Sequence, residues 1–325
     1  MTGPGPGSLV FGIYAGSKLG EQAAPGPPDV PGQIDAALDD LQGRAGRPFA
    51  VRAYQVFADP GGPGSPALAQ TPEGFVRYLR RGRTLDLVAA FHSASGDVGG
   101  YCAFLEELVD RHGAALGTLQ VGEEPNVTST PDLDGWYPKV AEAIVSGVSA
   151  AKARARRDGL AGLRVGINTT PLLGPAAGFL ADLARLGGER FAADLDYIGL
   201  DFFPDVFRPL AAGRLAAVMT ALLTEHRHDV LARAGLGHLP LVITEHGWPT
   251  GPGRPPQRQA EVLETVVGVV AAQASALGIA GYTHHSLRDA CTDDPGLFSQ
   301  FGLMTDAYEP KPAFHAYRRL IDTLG

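Results

Sequence analysis

The sequence has little cysteine, no excess of basic residues and no long apolar run. Its only two cysteines, Cys102 and Cys291, exclude a disulfide framework, and neither belongs to a CxxC pair. Lysine and arginine total 27 against 35 acidic residues, and the formal charge of −8 argues against a nucleic-acid partner, which needs a basic face. No apolar run approaches the ~20 residues of a membrane span, so no membrane partner is expected. Residues 1–8 lack the features of a secretory signal, which predicts a cytoplasmic location.

Eight short apolar segments rich in strand-forming residues recur along the 325 residues. The hydrophobic content of 45% with 19% charged residues is typical of a globular protein with a real core. The apolar character within the segments is continuous rather than alternating, as in parallel strands that are covered on both faces. The predicted strands are residues 9–14, 49–54, 85–91, 117–121, 163–167, 195–200, 241–244 and 279–284.

Helical patterns separate these strands, and several of them end on glycine, a common helix stop. The predicted helices are residues 33–44, 72–82, 100–113, 137–159, 178–188, 215–235, 255–278 and 312–324. This alternation predicts a single (β/α)8 barrel, a TIM barrel, as one domain over residues 1–325, with residues 1–7 flexible. An open doubly wound sheet is the alternative, but no GxGxxG or GxxxxGK[ST] follows an early strand. The Gly/Pro-rich stretches 21–32 and 59–66 are predicted to be loops.

Polar residues cluster where the predicted strands end, the side of such a barrel on which active sites are built. Strand 4 runs into Glu123 and Glu124, and strand 7 runs into Glu245. Further candidate substrate-binding residues near strand ends are Tyr14, Arg52, His92, Asn168, His284 and His285.

The glutamates after strands 4 and 7 face each other across the barrel mouth. Glycoside hydrolysis requires two carboxyl groups that flank one bond: one protonates the leaving oxygen and the other attacks or activates water. The residues alone leave a structural alternative equally open, in which the glutamates pair with Arg52 or cap a helix.

Three segments of this sequence together resemble clan A of the glycoside hydrolases, a group of (β/α)8 enzymes that includes β-1,3-glucanases and cellulases. They are ITEHGWPT around Glu245, GEEPN around Glu124, and FGLMTDAYEPKPAFHAYRRL near the C-terminus. The resemblance implies a retaining enzyme with Glu124 as acid/base and Glu245 as nucleophile, and with Arg52 hydrogen-bonded to the nucleophile. It implies a β-linked carbohydrate substrate and requires no cofactor and no metal. Because residues 1–8 lack the features of a secretory signal, a soluble oligosaccharide or glycoside is expected rather than polymeric cell-wall glucan.

Three positions depart from the pattern of that clan. Glu123 stands where an Asn usually donates to the sugar 2-hydroxyl, Phe202 and Phe203 replace a Tyr on strand 6, and His284 or His285 replaces a Trp on strand 8. These departures support an alternative function, a catalytically silent carbohydrate-binding barrel. Because a carboxylate only accepts hydrogen bonds, Glu123 also raises the hypothesis of a cationic 2-amino sugar, against simple pairing with His92 or Arg52.

The two tryptophans are the candidate platforms for stacking sugar rings. Trp136 and Trp248 both follow predicted strands, on the side where the site is expected. The histidines at the strand ends are interpreted as partners of sugar hydroxyls, because the sequence contains neither an HxH on strand 1 nor an HExxH zinc motif. A Ser/His/Asp triad is disfavoured, because no GxSxG elbow is present.

Overall fold

A closed barrel of eight parallel strands forms the centre of the molecule, as the sequence predicts. The computed structural model describes residues 9–17, 23–59 and 71–325, so the segment predicted to be flexible, residues 1–7, lies outside the described residues, as do residues 21–22 of the first predicted Gly/Pro-rich loop and residues 60–66 of the second. The strands follow chain order around the barrel, and β8 pairs with β1 to close it. They are β1 Val10–Tyr14, β2 Phe49–Ala58, β3 Thr84–His92, β4 Leu116–Val121, β5 Arg164–Thr169, β6 Tyr197–Asp201, β7 Leu241–His246 and β8 Ile279–His284.

The strands are buried on both faces, which explains their continuous apolar sequence. In β3 every residue after Thr84 is buried, and β6 is buried throughout. The largest correction to the predicted bounds concerns β2, which continues four residues beyond Tyr54 to Ala58. Arg52 therefore lies in the middle of β2 and inside the barrel, rather than near the end of the strand.

Seven α-helices in the described residues cover the barrel. They are α1 Pro31–Gln42, α2 Val98–His112, α3 Val140–Arg157, α4 Phe179–Asp194, α5 Leu215–Glu225, α6 Pro256–Leu277 and α7 Pro312–Leu324. The predicted helix between β2 and β3 is instead a run of 3₁₀ turns, Phe75–Gly82. The backbone is left-handed at Gly74, just before this run, and at Arg81 within it, so a regular helix over residues 72–82 is interrupted twice. Tyr78 is the only buried residue of the run, so little packing energy favours a regular helix there.

One helix, α6, is long and apolar enough to cross a membrane by length and composition, although the sequence analysis found no such run. It packs against α5, α7 and β8 and buries a stripe of residues that includes Val262, Val266 and Val270. Its outer side carries Glu261 and Glu264, which pair with arginines at 3.2 and 2.8 Å. These contacts are those of a helix that covers a barrel.

Candidate active site

A buried arginine at the floor of the barrel mouth organises the site. Arg52 donates from Nη1 to Asp86 Oδ2 at 2.9 Å, from Nη2 to Gln120 Oε1 at 2.9 Å, and from Nε to the Tyr54 hydroxyl at 2.7 Å. Its side chain is fully buried, so these bonds replace the water that a guanidinium needs. Residues 52 and 54 share one face of β2 because side chains alternate along a strand. The arginine and the tyrosine therefore reach the mouth together.

Glu245, near the end of β7, is held as an anion by three neighbours. The Tyr54 hydroxyl donates to Oε1, Arg52 Nε lies 3.4 Å from Oε1, and His285 Nδ1 lies 3.3 Å from Oε2. Burial opposes ionisation of this carboxyl, but His285, Arg52 and Tyr54 together outweigh burial and lower its pKa to about 2. The predicted contact between Arg52 and Glu245 is present.

Glu124 follows β4 in a left-handed backbone conformation with φ of 43°, which is uncommon for a residue other than glycine. Its backbone N–H donates to Asn168 Oδ1 at 3.0 Å, so Asn168 fixes the turn that presents this glutamate. Burial, followed by the negative charges of Asp201 and Glu245, raises the pKa of Glu124 well above its ordinary value. Such strain at a polar, half-buried turn is typical of functional sites.

Glu123, beside it, is completely buried. Its Oε2 accepts from Gln120 Nε2 at 2.6 Å and from Asn168 Nδ2 at 3.3 Å, and Arg52 Nη2 lies 3.6 Å away. Burial, then the charges of Glu245 and Asp201, raises its pKa well above the ordinary value. Of the two pairings considered for Glu123 in the sequence, the structure contains the one with Arg52.

His92 contacts a different carboxylate, Asp134, which the sequence analysis missed. His92 Nε2 lies 3.4 Å from Asp134 Oδ1, and the imidazole stacks on Tyr137 with ring centroids 4.7 Å apart. The second oxygen of Asp134 accepts from the backbone N–H groups of Phe91 and Glu123, at 2.9 and 2.8 Å. His92 and Asp134 thus fix the ends of β3 and β4. No local sequence signal distinguishes Asp134 from an ordinary loop aspartate.

Asp201, the last residue of β6, is another site residue that the sequence analysis did not select. It accepts from Thr244 Oγ1 at 2.5 Å and from Asn168 Nδ2. Burial, then the charge of Glu245, raises its pKa to about 8. Oxygen atoms of Glu123, Asp201 and Glu245 all lie within 4.8 Å of one another, a donor set that suits a hard cation. Arg52, however, already places a positive charge beside two of these three carboxylates.

His284 ends β8 and His285 follows it, and the two side chains lie on opposite sides of the strand. His285 reaches Glu245, and Tyr14 packs beside it with ring centroids 4.9 Å apart. His284 instead packs against Tyr317 of α7, with ring centroids 5.5 Å apart, so of the two histidines it is His285 that contacts Glu245. Gly247 permits the approach of the His285 segment, because a Cβ there would lie 2.1 Å from the His285 carbonyl oxygen.

The two tryptophans differ in exposure. Trp248 is 5% exposed and donates its indole N–H to the Asp205 carbonyl at 3.3 Å. It packs in the hydrophobic core, and its role as a stacking platform stays a prediction. Trp136 is 54% exposed, as a platform requires. Phe207, in the loop after β6, is equally open at 58%.

Tyr54, on β2, donates a hydrogen bond to Glu245. In the clan that the sequence resembles, a tyrosine on strand 6 makes the corresponding hydrogen bond. Phe202 is buried, and Phe203 packs edge-on against His285 and Phe301, at 6.4 and 5.9 Å between ring centroids. The loss of a tyrosine on β6 therefore does not leave Glu245 without a hydroxyl donor. The spacing of Tyr54 two residues after Arg52 was the available signal for this role.

Several solved structures of glycosidases share this fold at low sequence identity. A glucosidase from Croceicoccus marinus is 16% identical, with a TM-score of 0.64, and the match covers 97% of this chain and 71% of the glucosidase. A family 39 glycoside hydrolase from Bacteroides cellulosilyticus WH2 is 15% identical, with a TM-score of 0.63, and the match covers 99% of this chain and 65% of that enzyme. A fungal β-1,4-galactanase is 12% identical, with a TM-score of 0.62, and the match covers 96% of this chain and 99% of the galactanase.

These similarities establish the class of fold, a (β/α)8 barrel of the kind that glycoside hydrolases use, and they confirm the fold predicted from the sequence. The chain spans only about half of some other similar structures, such as 51% of a β-D-glucuronidase from Dictyoglomus thermophilum. No protein-family profile and no curated protein matches the chain.

Proposed function

We propose that this protein is a retaining glycoside hydrolase that cleaves β-linked glycosides, with Glu245 as nucleophile and Glu124 as acid/base. One observation carries the proposal: two glutamates at one barrel mouth have pKa values displaced in opposite directions. The pKa of Glu245 is lowered to about 2 and that of Glu124 is raised well above its ordinary value. The lowered pKa favours the ionised form of Glu245, which can attack, and the raised pKa favours the protonated form of Glu124, which can donate, the division of roles that glycoside hydrolysis needs.

The first step forms a bond between a Glu245 oxygen and the anomeric carbon. The bond from that carbon to the leaving oxygen breaks, and the Glu124 proton passes to the leaving oxygen. In the second step a water molecule gives a proton to the Glu124 carboxylate, and its oxygen attacks the anomeric carbon. The ester bond to Glu245 then breaks, which releases the sugar with its original configuration and restores both glutamates. A carboxyl separation of roughly 5–5.5 Å is expected for this mechanism.

The contacts of each glutamate suit these steps. The guanidinium of Arg52 and the hydroxyl of Tyr54 both lie at Glu245 Oε1, so they fix the direction from which the carboxylate attacks. The Asn168 amide fixes the backbone of Glu124, while the side chain of Glu124 stays half-buried and able to exchange protons with substrate and water.

Azide rescue tests the assignment of roles. Glu245→Gly should abolish hydrolysis of an aryl β-glycoside, and azide should restore turnover with an α-glycosyl azide as product, because the anion attacks from the vacated side. Glu124→Ala should give the β-azide from the glycosyl-enzyme. Exchanged products would reverse the assignment.

The second candidate function is a carbohydrate-binding barrel without activity. His285 and Glu123, in place of the clan's Trp and Asn, favour it. A panel of chromogenic β-glycosides, run beside calorimetric binding of oligosaccharides, separates the two functions. Binding without turnover by the wild type would refute hydrolysis and support this second function.

A further inference from the structure

Three buried carboxyl groups at the centre of the site share one cation among them. Glu123, Asp201 and Glu245, hereafter the acidic cluster, are at most 3% exposed, and their oxygens lie within 4.8 Å of one another. Arg52 lies close to two members of the cluster, with Nη2 3.6 Å from Glu123 Oε2 and Nε 3.4 Å from Glu245 Oε1. Its Nη1 also pairs with Asp86 Oδ2 at 2.9 Å. Within residues 9–17, 23–59 and 71–325, Asp201 pairs with no cationic side chain. Asp201 is thus the member of the acidic cluster without a cationic partner in that part of the chain.

One oxygen of the acidic cluster also lacks a donor. Glu123 Oε2 accepts from Gln120 and Asn168, whereas Glu123 Oε1 is buried and receives no hydrogen bond in the part of the chain that the structure describes. A buried carboxylate oxygen without a donor is costly, because the water that it loses on burial is not replaced. A ligand that brings a hydrogen-bond donor to this oxygen would remove that cost.

The chemistry of the acidic cluster favours a charged donor over a neutral one. A hydroxyl group donates one hydrogen bond and brings no charge, whereas an ammonium group donates three and brings a full positive charge. Hydrogen bonds between charged partners are about twice as strong as those between neutral partners. In the empty site the raised pKa of Asp201, about 8, lets that carboxyl keep a proton, which an entering ammonium group would displace.

We infer that the acidic cluster binds the protonated amino group of a 2-amino-2-deoxy-β-glycoside, an inference that rests on the proposed hydrolase function. Glu245 belongs to the acidic cluster and attacks the anomeric carbon, so a substrate cation held there sits on a carbon next to that one. In a pyranose ring the neighbouring carbon that bears a substituent is C2. A divalent metal ion is less suitable, because the Arg52 guanidinium lies within 3.6 Å of two of the three carboxylates and repels a doubly charged ion about twice as strongly as a singly charged ammonium group.

Paired substrates test this inference. Aryl β-glycosides of gluco and galacto configuration are compared with a hydroxyl, an amino or an acetamido group at C2, at about pH 6, where such an amine carries its proton. The wild type should turn over the amino compound with a kcat/KM at least about tenfold higher than the hydroxyl compound, the scale of one additional charge-assisted hydrogen bond. The acetamido compound, which is neutral, should gain nothing.

Two variants test whether the preference for the amino compound depends on the acidic cluster. Glu123→Gln removes the charge without changing the size of the side chain, and it should bring the ratio of kcat/KM for the amino compound to that for the hydroxyl compound down to about one, whatever the change in absolute activity. Asp201→Asn is the second variant, used if Glu123→Gln does not fold, and it should reduce the same ratio. The exposed Glu309→Gln is the matched control and should leave the ratio unchanged.

Calorimetric binding of the corresponding aryl 1-thio-β-glycosides separates failure of the inference from failure of the proposed function. Tighter binding of the amino compound, lost in Glu123→Gln, without turnover of any glycoside would support the cation site and refute hydrolysis. Turnover without an amino preference would leave hydrolysis standing and overturn the inference. Loss of activity in EDTA with recovery in Mg²⁺ or Ca²⁺ would also overturn it, because the acidic cluster would then be a metal site.

Discussion

Removal of one hydroxyl group, in Tyr54→Phe, should move the acid limb of the pH–activity profile upward. The Tyr54 hydroxyl accepts from Arg52 Nε and donates to Glu245 Oε1, so it stabilises the ionised carboxylate. A hydrogen bond to a charged group contributes about 1.5–3 kcal/mol. Since one pKa unit corresponds to about 1.4 kcal/mol, the pKa of Glu245 should rise by about one to two units. It should move from about 2 to roughly 3–4.

The sign follows from the depressed pKa of Glu245. The carboxylate needed for attack is present above that pKa and is lost as the pH falls through it. The wild type should therefore keep its kcat/KM down to about pH 3, whereas Tyr54→Phe should lose activity about one to two pH units earlier. Enzyme held near neutrality and mixed briefly into acidic buffer with an aryl glycoside gives the profile before the protein unfolds.

Tyr101→Phe provides the matched control. It also loses a buried hydroxyl, which donates to the Ala89 carbonyl at 2.6 Å, but it does so beneath α2 and away from Glu245. It should lower the free energy of unfolding and leave the acid limb in place. An unmoved acid limb in Tyr54→Phe, with activity reduced equally at every pH, would refute the electrostatic role and leave Tyr54 a packing residue.

Three further outcomes are expected. The pKa of Asp201 is about 8 in the folded protein, against an ordinary value of 3.8, so the free energy of unfolding should fall as the pH rises between these two values. Asp201→Asn should remove part of that fall, as measured by urea unfolding at low and high pH. Plots of unfolding free energy against pH that run parallel for the wild type and the variant would contradict this. Asp134→Ala leaves the backbone N–H groups of Phe91 and Glu123 without their acceptor and should lower the unfolding free energy by about 2–6 kcal/mol. A loss smaller than the error of the measurement would contradict this. A 2-deoxy-2-fluoro-β-glycoside with a good leaving group should label Glu245 in peptide mass spectrometry, and a label on any other residue would displace it as nucleophile.

The barrel and the two opposed glutamates were predictable because both depend on local patterns. Continuous apolar strands alternate with helical periods, and parallel strands bring their carboxyl ends to one side. The same rule could have found Tyr54, since a residue two positions after Arg52 must share its face of β2. The prediction placed the end of β2 at residue 54, whereas the strand continues to Ala58, so Tyr54 lies within the strand, on the same face as Arg52.

Other site residues depend on contacts that no local pattern records. Asp134 lies in a loop and acquires its role only when folding brings β3 and β4 beside it. The choice between His284 and His285 depends on which strand face points inward at the end of β8, and a shift of one residue exchanges them. Trp248 lies three residues after Glu245 in sequence, yet it is only 5% exposed and packs in the hydrophobic core.

The attachment of the carboxylates to the barrel floor has a consequence for engineering. Arg52 reaches Glu123 and Glu245 from within β2, and the side chains that hold Arg52 in place, Asp86 and Gln120, also come from strands. The carboxylates of the proposed mechanism are thus tied to the strands of the barrel, while loop residues such as Trp136 are exposed. Rim segments can therefore be exchanged for those of other barrels to redirect selectivity, with the chemical machinery carried over intact.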